Sequence, residues 1–263
     1  MWLPALAAIL VPVCTTLAIC YRRRIVWFYL HQFLGRLRSC LTGISREERA
    51  FRYVLTNSTH GKPESVLSTL DEWCGRYECV TSTGPEKGKI LDSMVQPVAP
   101  LRALELGTYC GYAAIRIARL LPPGSKLYTV ERDPKTADLA EGMMLMAGLK
   151  HTQFQVISGP PAEAIPRFKP AYGVEAFDFV FLSQGRGEYL RELRLLVEAG
   201  LLVEGSVILA DGVTEPGAAG FLRSVRSDPR YGSTFHRSSA PYQEDVPDGM
   251  EELTFLKEGG LRN

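Results

Sequence analysis

The chain has 263 residues, with 30 Lys and Arg against 29 Asp and Glu, for a formal net charge of +1. This length suits one large α/β domain with a sizeable core, and so balanced a charge argues against a nucleic-acid binder. The six cysteines, Cys14, Cys20, Cys40, Cys74, Cys79 and Cys110, make no Cys-x-x-Cys pair and no zinc-spaced Cys/His cluster, and read as reduced, mostly packed as small apolar residues.

The charge is unevenly spread. Residues 1–52 hold eight arginines and two glutamates, a local +6, which leaves −5 for the remainder. That is the pattern of a soluble domain behind a basic, membrane-facing segment. Residues 1–21 carry no charged side chain and run straight into Arg22-Arg23-Arg24. About 20 apolar residues cross a bilayer core, so residues 1–21 are expected to be a transmembrane anchor. The arginines stay cytosolic by the positive-inside rule, which puts the domain that follows in the cytosol. A cleaved signal peptide is the competing reading, but it carries its basic residues before the apolar run. Residues 22–44 form a basic juxtamembrane segment. Its stretch 25–38 mixes Trp27, Phe28, Tyr29, Phe33 and Leu34 with basic residues. It fits either an amphipathic helix along the membrane surface or a helix packed on the globular domain. Residues 45–263 are the main domain.

That domain opens with helical patterns at 47–56 and 64–77, separated by Gly61 and Pro63; in the second, Val66, Leu67, Leu70, Trp73 and Cys74 share a face. Thr83-Gly84-Pro85 reads as a loop, followed by a helix over 87–96. Strands then alternate with helices. Strands are predicted at 103–106, 126–131, 153–158, 177–183 and 206–211, and helices at 111–121, 134–147, 161–168, 188–199 and 216–227. Such alternation implies a doubly wound, mostly parallel, seven-stranded sheet closed by an antiparallel hairpin over 235–242 and 251–257. Ligands of such sheets bind outside the carboxyl ends of the strands, which sets Gly107, Glu131, Gly159, Ser183 and Asp211 along one rim.

The most informative stretch is Leu104-Glu-Leu-Gly-Thr-Tyr-Cys-Gly-Tyr112. It reads as a strand end, a glycine turn and a helix start. The spacing is Gly-x-x-x-Gly, which favours the nucleoside of S-adenosylmethionine over a dinucleotide pyrophosphate. The next strand ends in Glu131, where an acid accepts hydrogen bonds from ribose hydroxyls. A turn for a different nucleotide is the alternative.

With Lys87-Gly-Lys-Ile-Leu91, Ile117-Ala-Arg-Leu-Leu-Pro-Pro-Gly124, Leu209-Ala-Asp-Gly-Val213, Pro216-Gly-Ala218 and Asp248-Gly249 added, residues 46–257 resemble the catechol O-methyltransferase family. The stretches Glu47-Glu-Arg-Ala-Phe51, Thr129-Val-Glu-Arg-Asp133 and Tyr189-Leu-Arg-Glu-Leu193 look most like its transmembrane O-methyltransferase branch, associated with hair cells and hearing. The resemblance implies a Rossmann-like fold with S-adenosylmethionine on Gly107, Thr108, Tyr109 and Tyr112, and with Glu131 on the ribose. It implies that Glu105 shapes the methionine end and that Thr83 gives a backbone contact. Ala113 replaces a hydroxyl residue beside the carboxylate, a loss of about 1 kcal/mol. Pro161 and Ala162 stand where the family has polar groups near the adenine.

The family's metal and catalytic pattern is broken. Catechol methylation uses magnesium held by hard oxygen ligands. The resemblance puts Ser183, Asp211 and Gly212 at the three ligand positions. One carboxylate and one hydroxyl make a poor magnesium site, and Asp211 reads better as a cap of the turn that follows it. Glu188 or Asp178 would have to substitute from a shifted position. The family's base position is Arg186, which stays protonated and is no base, although it could attract an ionised catecholate. Gln184-Gly185 replaces a His-Trp pair. Pro241 falls at the substrate-orienting acid, with Glu244 and Asp245 close by.

Three functions fit this pattern. The favoured one is a membrane-anchored partner protein of the endoplasmic reticulum or Golgi with a degraded centre. The resemblance implies that it escorts transmembrane channel-like mechanotransduction subunits. The alternative is an active methyltransferase of catechols or catecholamines. The third is a metal-free methyltransferase with another small-molecule acceptor.

Overall fold

A computed structural model of the chain describes residue 39, residues 41–81 and residues 83–256. The expected anchor and nearly all of the juxtamembrane stretch lie outside the described residues. Among the described residues no helix is long and apolar enough to cross a membrane. The chain divides into two compact units, Met1–Arg49 and Ala50–Asn263. The second carries the whole sheet.

Ahead of the sheet the described residues include α1 (Arg46–Asn57), α2 (Pro63–Arg76) and α3 (Gly84–Val98). The sheet then builds through β1 (Arg102–Leu106), β2 (Lys126–Glu131), β3 (Phe154–Ser158), β4 (Phe177–Leu182), β5 (Leu202–Ala210), β6 (Tyr231–Ala240) and β7 (Gln243–Phe255). Between the strands run α4 (Tyr112–Ala118), α5 (Pro134–Met146), α6 (Pro161–Ala164), α7 (Phe168–Tyr172), α8 (Tyr189–Glu198) and α9 (Ala219–Ser227). The strand order is β3-β2-β1-β4-β5-β7-β6. The first five strands pair in parallel, and β7 runs antiparallel to both β5 and β6.

Strands β1, β2 and β4 are buried along nearly their whole length because helices cover both faces of a parallel sheet. Side chains alternate across β4. Phe179 and Phe181 join one core with Leu70, Leu91 and Ala114, while Val180 and Leu182 join the other with Phe168, Tyr189 and Phe221. Chain order reverses between β1 and β4, and the crevice outside their carboxyl ends is where such folds take ligands.

The elements match the sequence-based expectations with local differences. Helix α3 starts at Gly84, not Lys87, with Thr83 as its N-cap. Proline is pre-set for the first helical turn, so Thr83-Gly84-Pro85 leads into the helix without a separate loop. The helix expected over 161–168 breaks into α6, a 3-10 turn at Ile165–Arg167, and α7. Pro166 has no N–H to continue the α ladder. Strand β5 begins at Leu202, and the hairpin is longer than expected, turning at Pro241-Tyr242 with Tyr242 at φ 58.

Candidate functional site

The rim forms as the alternation requires. Gly107, Glu131, Gly159, Ser183 and Asp211 each follow or close a parallel strand at the same sheet edge. On the β1–β2 side the turn is left-handed at Gly107 (φ 104), Tyr109 (φ 46) and Gly111 (φ 82). A Cβ on Gly107 would come within 2.8 Å of Gln184 Cβ, so glycine is required there by the loop after β4. Glu131 ties the turn to β2. Its Oε2 accepts from Tyr109 N at 2.8 Å and its Oε1 from Asp133 N at 3.0 Å. An ionised carboxylate offers about four acceptor sites, so capacity remains for two ligand hydroxyls.

Beneath the turn runs a buried polar chain. Thr108 Oγ1 lies 2.5 Å from Thr129 Oγ1, and Thr129 donates to Glu105 Oε2 at 2.6 Å. Glu105 is fully buried and its Oε1 has no hydrogen-bond partner among the described residues. Burial, reinforced by the charge of Glu131 and opposed by the Thr129 hydrogen bond, pushes its carboxyl up to about 8. Tyr112 is buried, and its hydroxyl accepts from Arg116 Nη1 at 3.0 Å. Arg116 in turn donates Nη2–H to Asp92 Oδ2 at 2.7 Å. What Tyr112 offers a ligand is therefore its ring and backbone. Ala113 is buried in the first turn of α4 and brings no hydroxyl.

On the β4–β5 side the three positions expected for metal ligands hold other partners. Ser183 donates its hydroxyl to Gly107 O at 2.7 Å. Asp211 is buried, with Oδ1 2.7 Å from Lys87 Nζ and Oδ2 accepting from Thr83 Oγ1 at 3.2 Å. These contacts, not a cap of the following turn, engage its carboxylate. Thr83 thus reaches the rim through its hydroxyl, while its N–H donates to Thr81 Oγ1 at 3.1 Å. Lys87 is completely buried and also donates to Asp248 Oδ2 at 2.7 Å. Asp248 Oδ1 accepts from Thr214 Oγ1 at 2.8 Å. Burial pushes Asp211 above the ordinary carboxylate range, against the pull of Lys87. Burial also works to raise Asp248, but Lys87, Thr214 and the Gly249 N–H together hold it below that range.

Gly212 is left-handed (φ 64), and a Cβ there would lie 2.6 Å from Arg186 Nη2. The guanidinium fills the space of a side chain at 212 and pairs with Glu215 Oε1 at 2.9 Å. Tyr189, the first residue of α8, braces the strand end from below, donating its hydroxyl to Asp211 O at 2.9 Å.

The shifted ligands do not gather. Asp178 lies at the far edge of the sheet, accepting from Leu101 N at 2.8 Å and Arg102 N at 2.9 Å. Glu188 contacts Arg191. Gln184 donates to Glu192, whose carboxyl is pushed up to about 7 by burial and then by the charge of Glu188. Pro241 packs over Gly84 at the start of α3. The Glu244 side chain lies outside the described residues. Among the described residues, no group of three or more His, Cys, Asp and Glu could hold a metal ion.

Lys87 and Asp248 are site residues that motif reading had placed in no role. One signal was available for Lys87, which stands in register with Gly84, Gly88, Leu91 and Val95 on the buried face of α3. A lysine on such a face needs a buried partner.

Residues 60–223 match the family profile described as O-methyltransferase. The chain is 41% identical over 256 residues to the Transmembrane O-methyltransferase homolog of Mus musculus, covering 97% of this chain and 99% of that protein. The chain belongs to the O-methyltransferase family. It is also 41% identical over 221 residues to Catechol O-methyltransferase B of Danio rerio, covering 84% of this chain and 83% of that one. An O-methyltransferase from Bacillus cereus, solved in complex with SAH, shares the fold with a TM-score of 0.62 at 23% identity, over 73% of this chain and 90% of that one. The Rossmann-like, mostly parallel seven-stranded sheet is thus the O-methyltransferase fold.

Proposed function

We propose that this chain is an S-adenosylmethionine-binding member of the O-methyltransferase family whose metal-assisted catechol chemistry has been lost. The observation that carries this reading is the pair of cations at the strand ends. Lys87 Nζ sits 2.7 Å from Asp211, and the Arg186 guanidinium covers Gly212. With the Ser183 hydroxyl turned to Gly107 O, the residues present do not fit a divalent ion. The cofactor half does fit. Glu131 retains acceptor capacity for ribose hydroxyls, the Gly107–Gly111 turn stands beside it, and the buried Glu105 oxygen lies beneath. When bound, S-adenosylmethionine supplies a methyl group on a sulfonium; Glu131, Tyr109, Thr108 and Tyr112 would orient it.

On this reading the family's membrane-anchored branch is the nearest guide to role. The apolar run of residues 1–21 would hold the protein on the endoplasmic reticulum or Golgi with the domain in the cytosol. There it would escort membrane channel subunits of the transmembrane channel-like type, the role tied to hearing. The test titrates the full chain with S-adenosylmethionine, with and without magnesium, and assays methyl transfer to dopamine. Cofactor binding indifferent to magnesium, with no turnover, supports the reading. Co-purification with the channel subunits that survives Glu131→Ala supports the escort role, and no association at all removes it.

A second reading has one observation in its favour, the retained cofactor rim beside relatives named catechol O-methyltransferase. The chain would then methylate catechols, with Arg186 attracting an ionised catecholate. Magnesium-dependent turnover of dopamine would establish it.

A further inference from the structure

We infer that Cys74 and Cys79 form an oxidisable dithiol, a modification site at which hydrogen peroxide closes a disulfide between the end of α2 and the segment that leads into α3.

Cys74 lies in the last turn of α2, on its buried face. Past the helix the chain folds back on itself. Tyr77 N donates to Trp73 O at 2.8 Å, and Val80 N donates to Cys74 Sγ at 3.3 Å. The second bond brings Cys79, the chain neighbour of Val80, against the helix it has just left, and the two thiols are hydrogen-bonded to each other. The pair is asymmetric, since Cys79 is exposed and Cys74 is buried. Contact with Cys79, and after it burial, hold the Cys74 thiol well above the ordinary thiol range. Cys74 therefore keeps its proton behind a shield of protein, while Cys79 is the sulfur that a solute meets. An accessible thiol beside a resolving one is the arrangement of redox-sensing cysteines, and disulfides in a reducing compartment are of this transient kind.

The chemistry balances with peroxide as the oxidant. The Cys79 sulfur attacks one peroxide oxygen, the O–O bond breaks, and Cys79 becomes a sulfenic acid as water leaves. The Cys74 sulfur then attacks the Cys79 sulfur. The S–O bond breaks, and hydroxide departs with the Cys74 proton as a second water. Each sulfur gives up one electron, and the peroxide takes both.

Closure would alter the approach to the rim. In the thiol state Cys79 donates its S–H to Thr81 O at 3.1 Å, and Thr81 Oγ1 accepts from Thr83 N at 3.1 Å. Thr83 in turn donates its hydroxyl to Asp211 Oδ2 at 3.2 Å. A disulfide has no S–H, so the first bond of this series is lost and the segment is tied covalently to α2 instead.

The test takes the full-length protein, reduces it with dithiothreitol, desalts it and adds hydrogen peroxide. Arg76 lies between the two cysteines, so trypsin parts them unless a disulfide joins them. The expected product is a Cys74 peptide linked to a Cys79 peptide and split again by dithiothreitol. Amide exchange at Val80, Thr81 and Thr83 is expected to slow on oxidation and to recover on reduction. Cys79→Ser is expected to leave Cys74 an alkylatable thiol after peroxide and denaturation. Cys74→Ser is expected to leave Cys79 as a sulfenic acid, giving at least about fivefold more dimedone adduct than the wild type. Cys74→Ala takes over that arm if serine at this buried position does not fold. Oxidation of Cys79 in the wild type while Cys74 stays a thiol overturns the inference. So does linkage of Cys79 to Cys110, Cys14, Cys20 or Cys40, or survival of both thiols at a peroxide dose that fully oxidises free cysteine. A linked pair with unchanged exchange keeps the site and overturns its hold on the segment.

Discussion

The Arg186 guanidinium occupies the space that a side chain at Gly212 would fill, with Nη2 2.6 Å from the position of a Cβ. Placing an amide there by Gly212→Asn therefore sets two residues in conflict. Asparagine tolerates the left-handed backbone at φ 64, so strain is secondary. The cost is displacement of Arg186 from Glu215, a half-exposed pair worth less than about 1 kcal/mol, and from the neighbourhood of buried Asp211. Gly212→Asn is expected to lower stability by about 1–2 kcal/mol, and to cost clearly less in an Arg186→Ala background. Denaturant unfolding of the four proteins in the cycle measures the coupling; strictly additive effects would show that the two sites do not compete.

Two helical glycines should respond to alanine with opposite signs. A Cβ on Gly88 would meet the Arg116 guanidinium at 2.4–2.7 Å, whereas one on Gly75 meets nothing within 4 Å. Alanine gains up to about 1 kcal/mol of helix propensity over glycine in each case. At Gly88 that gain is outweighed by displacing Arg116, a largely buried side chain held by Asp92 and Tyr112, at a cost of about 2–4 kcal/mol. Gly88→Ala is expected to melt lower than the wild type and Gly75→Ala to melt level or higher. A stabilised Gly88→Ala would mean that Arg116 moves aside freely.

This contrast shows what a sequence alone conveys. The parallel strands are legible because each is a short, strand-prone stretch that ends at a turn or an acid, as from Leu104 to Gly107 and from Lys126 to Glu131. The cofactor rim is legible for the same reason, since local spacing puts glycines and an acid at strand ends. Lys87 and Asp248 are 161 residues apart, and only the closing of β7 onto β5 brings them together. Their pairing has no local pattern to betray it beyond a lysine on a buried helix face. Asp211 illustrates the limit. A lone acid after a strand reads more readily as a turn cap than as a metal ligand, and its actual partner, Lys87, is brought up by distant parts of the chain.

Two buried carboxyls give stability a definite pH dependence. Glu105 is pushed up from an ordinary 4.5 to about 8, and Glu192 from 4.5 to about 7, burial being the chief cause for both. Between those limits the native state holds protons that the unfolded chain has released, so the stability each group contributes is full at low pH and is lost as pH rises toward its native value. The two together should withdraw a few kcal/mol, on the order of one pKa unit's 1.4 kcal/mol several times over. Urea unfolding across this range measures the slope. Glu105→Gln and Glu192→Gln should each flatten it and raise stability at the alkaline end; an unchanged slope in both variants would show that neither group stays protonated in the native protein.

Glu131 should separate cofactor binding from folding. Its two oxygens hold the N–H groups of Tyr109 and Asp133, at 2.8 and 3.0 Å, and so fix the left-handed turn against the end of β2. A glutamine keeps one acceptor and turns an amide N–H toward a backbone donor. Loss of one such hydrogen bond costs about 1 kcal/mol of stability, and more if the donor stays buried. A ligand whose ribose also uses this carboxylate loses charge-assisted hydrogen bonds of about 1.5–3 kcal/mol, roughly tenfold or more in affinity. Glu131→Gln is therefore expected to stay folded with a slightly lower melting temperature and to bind S-adenosylhomocysteine at least about tenfold more weakly by calorimetry. If the melting temperature falls while affinity stays put, Glu131 serves the turn alone and the ribose is held elsewhere.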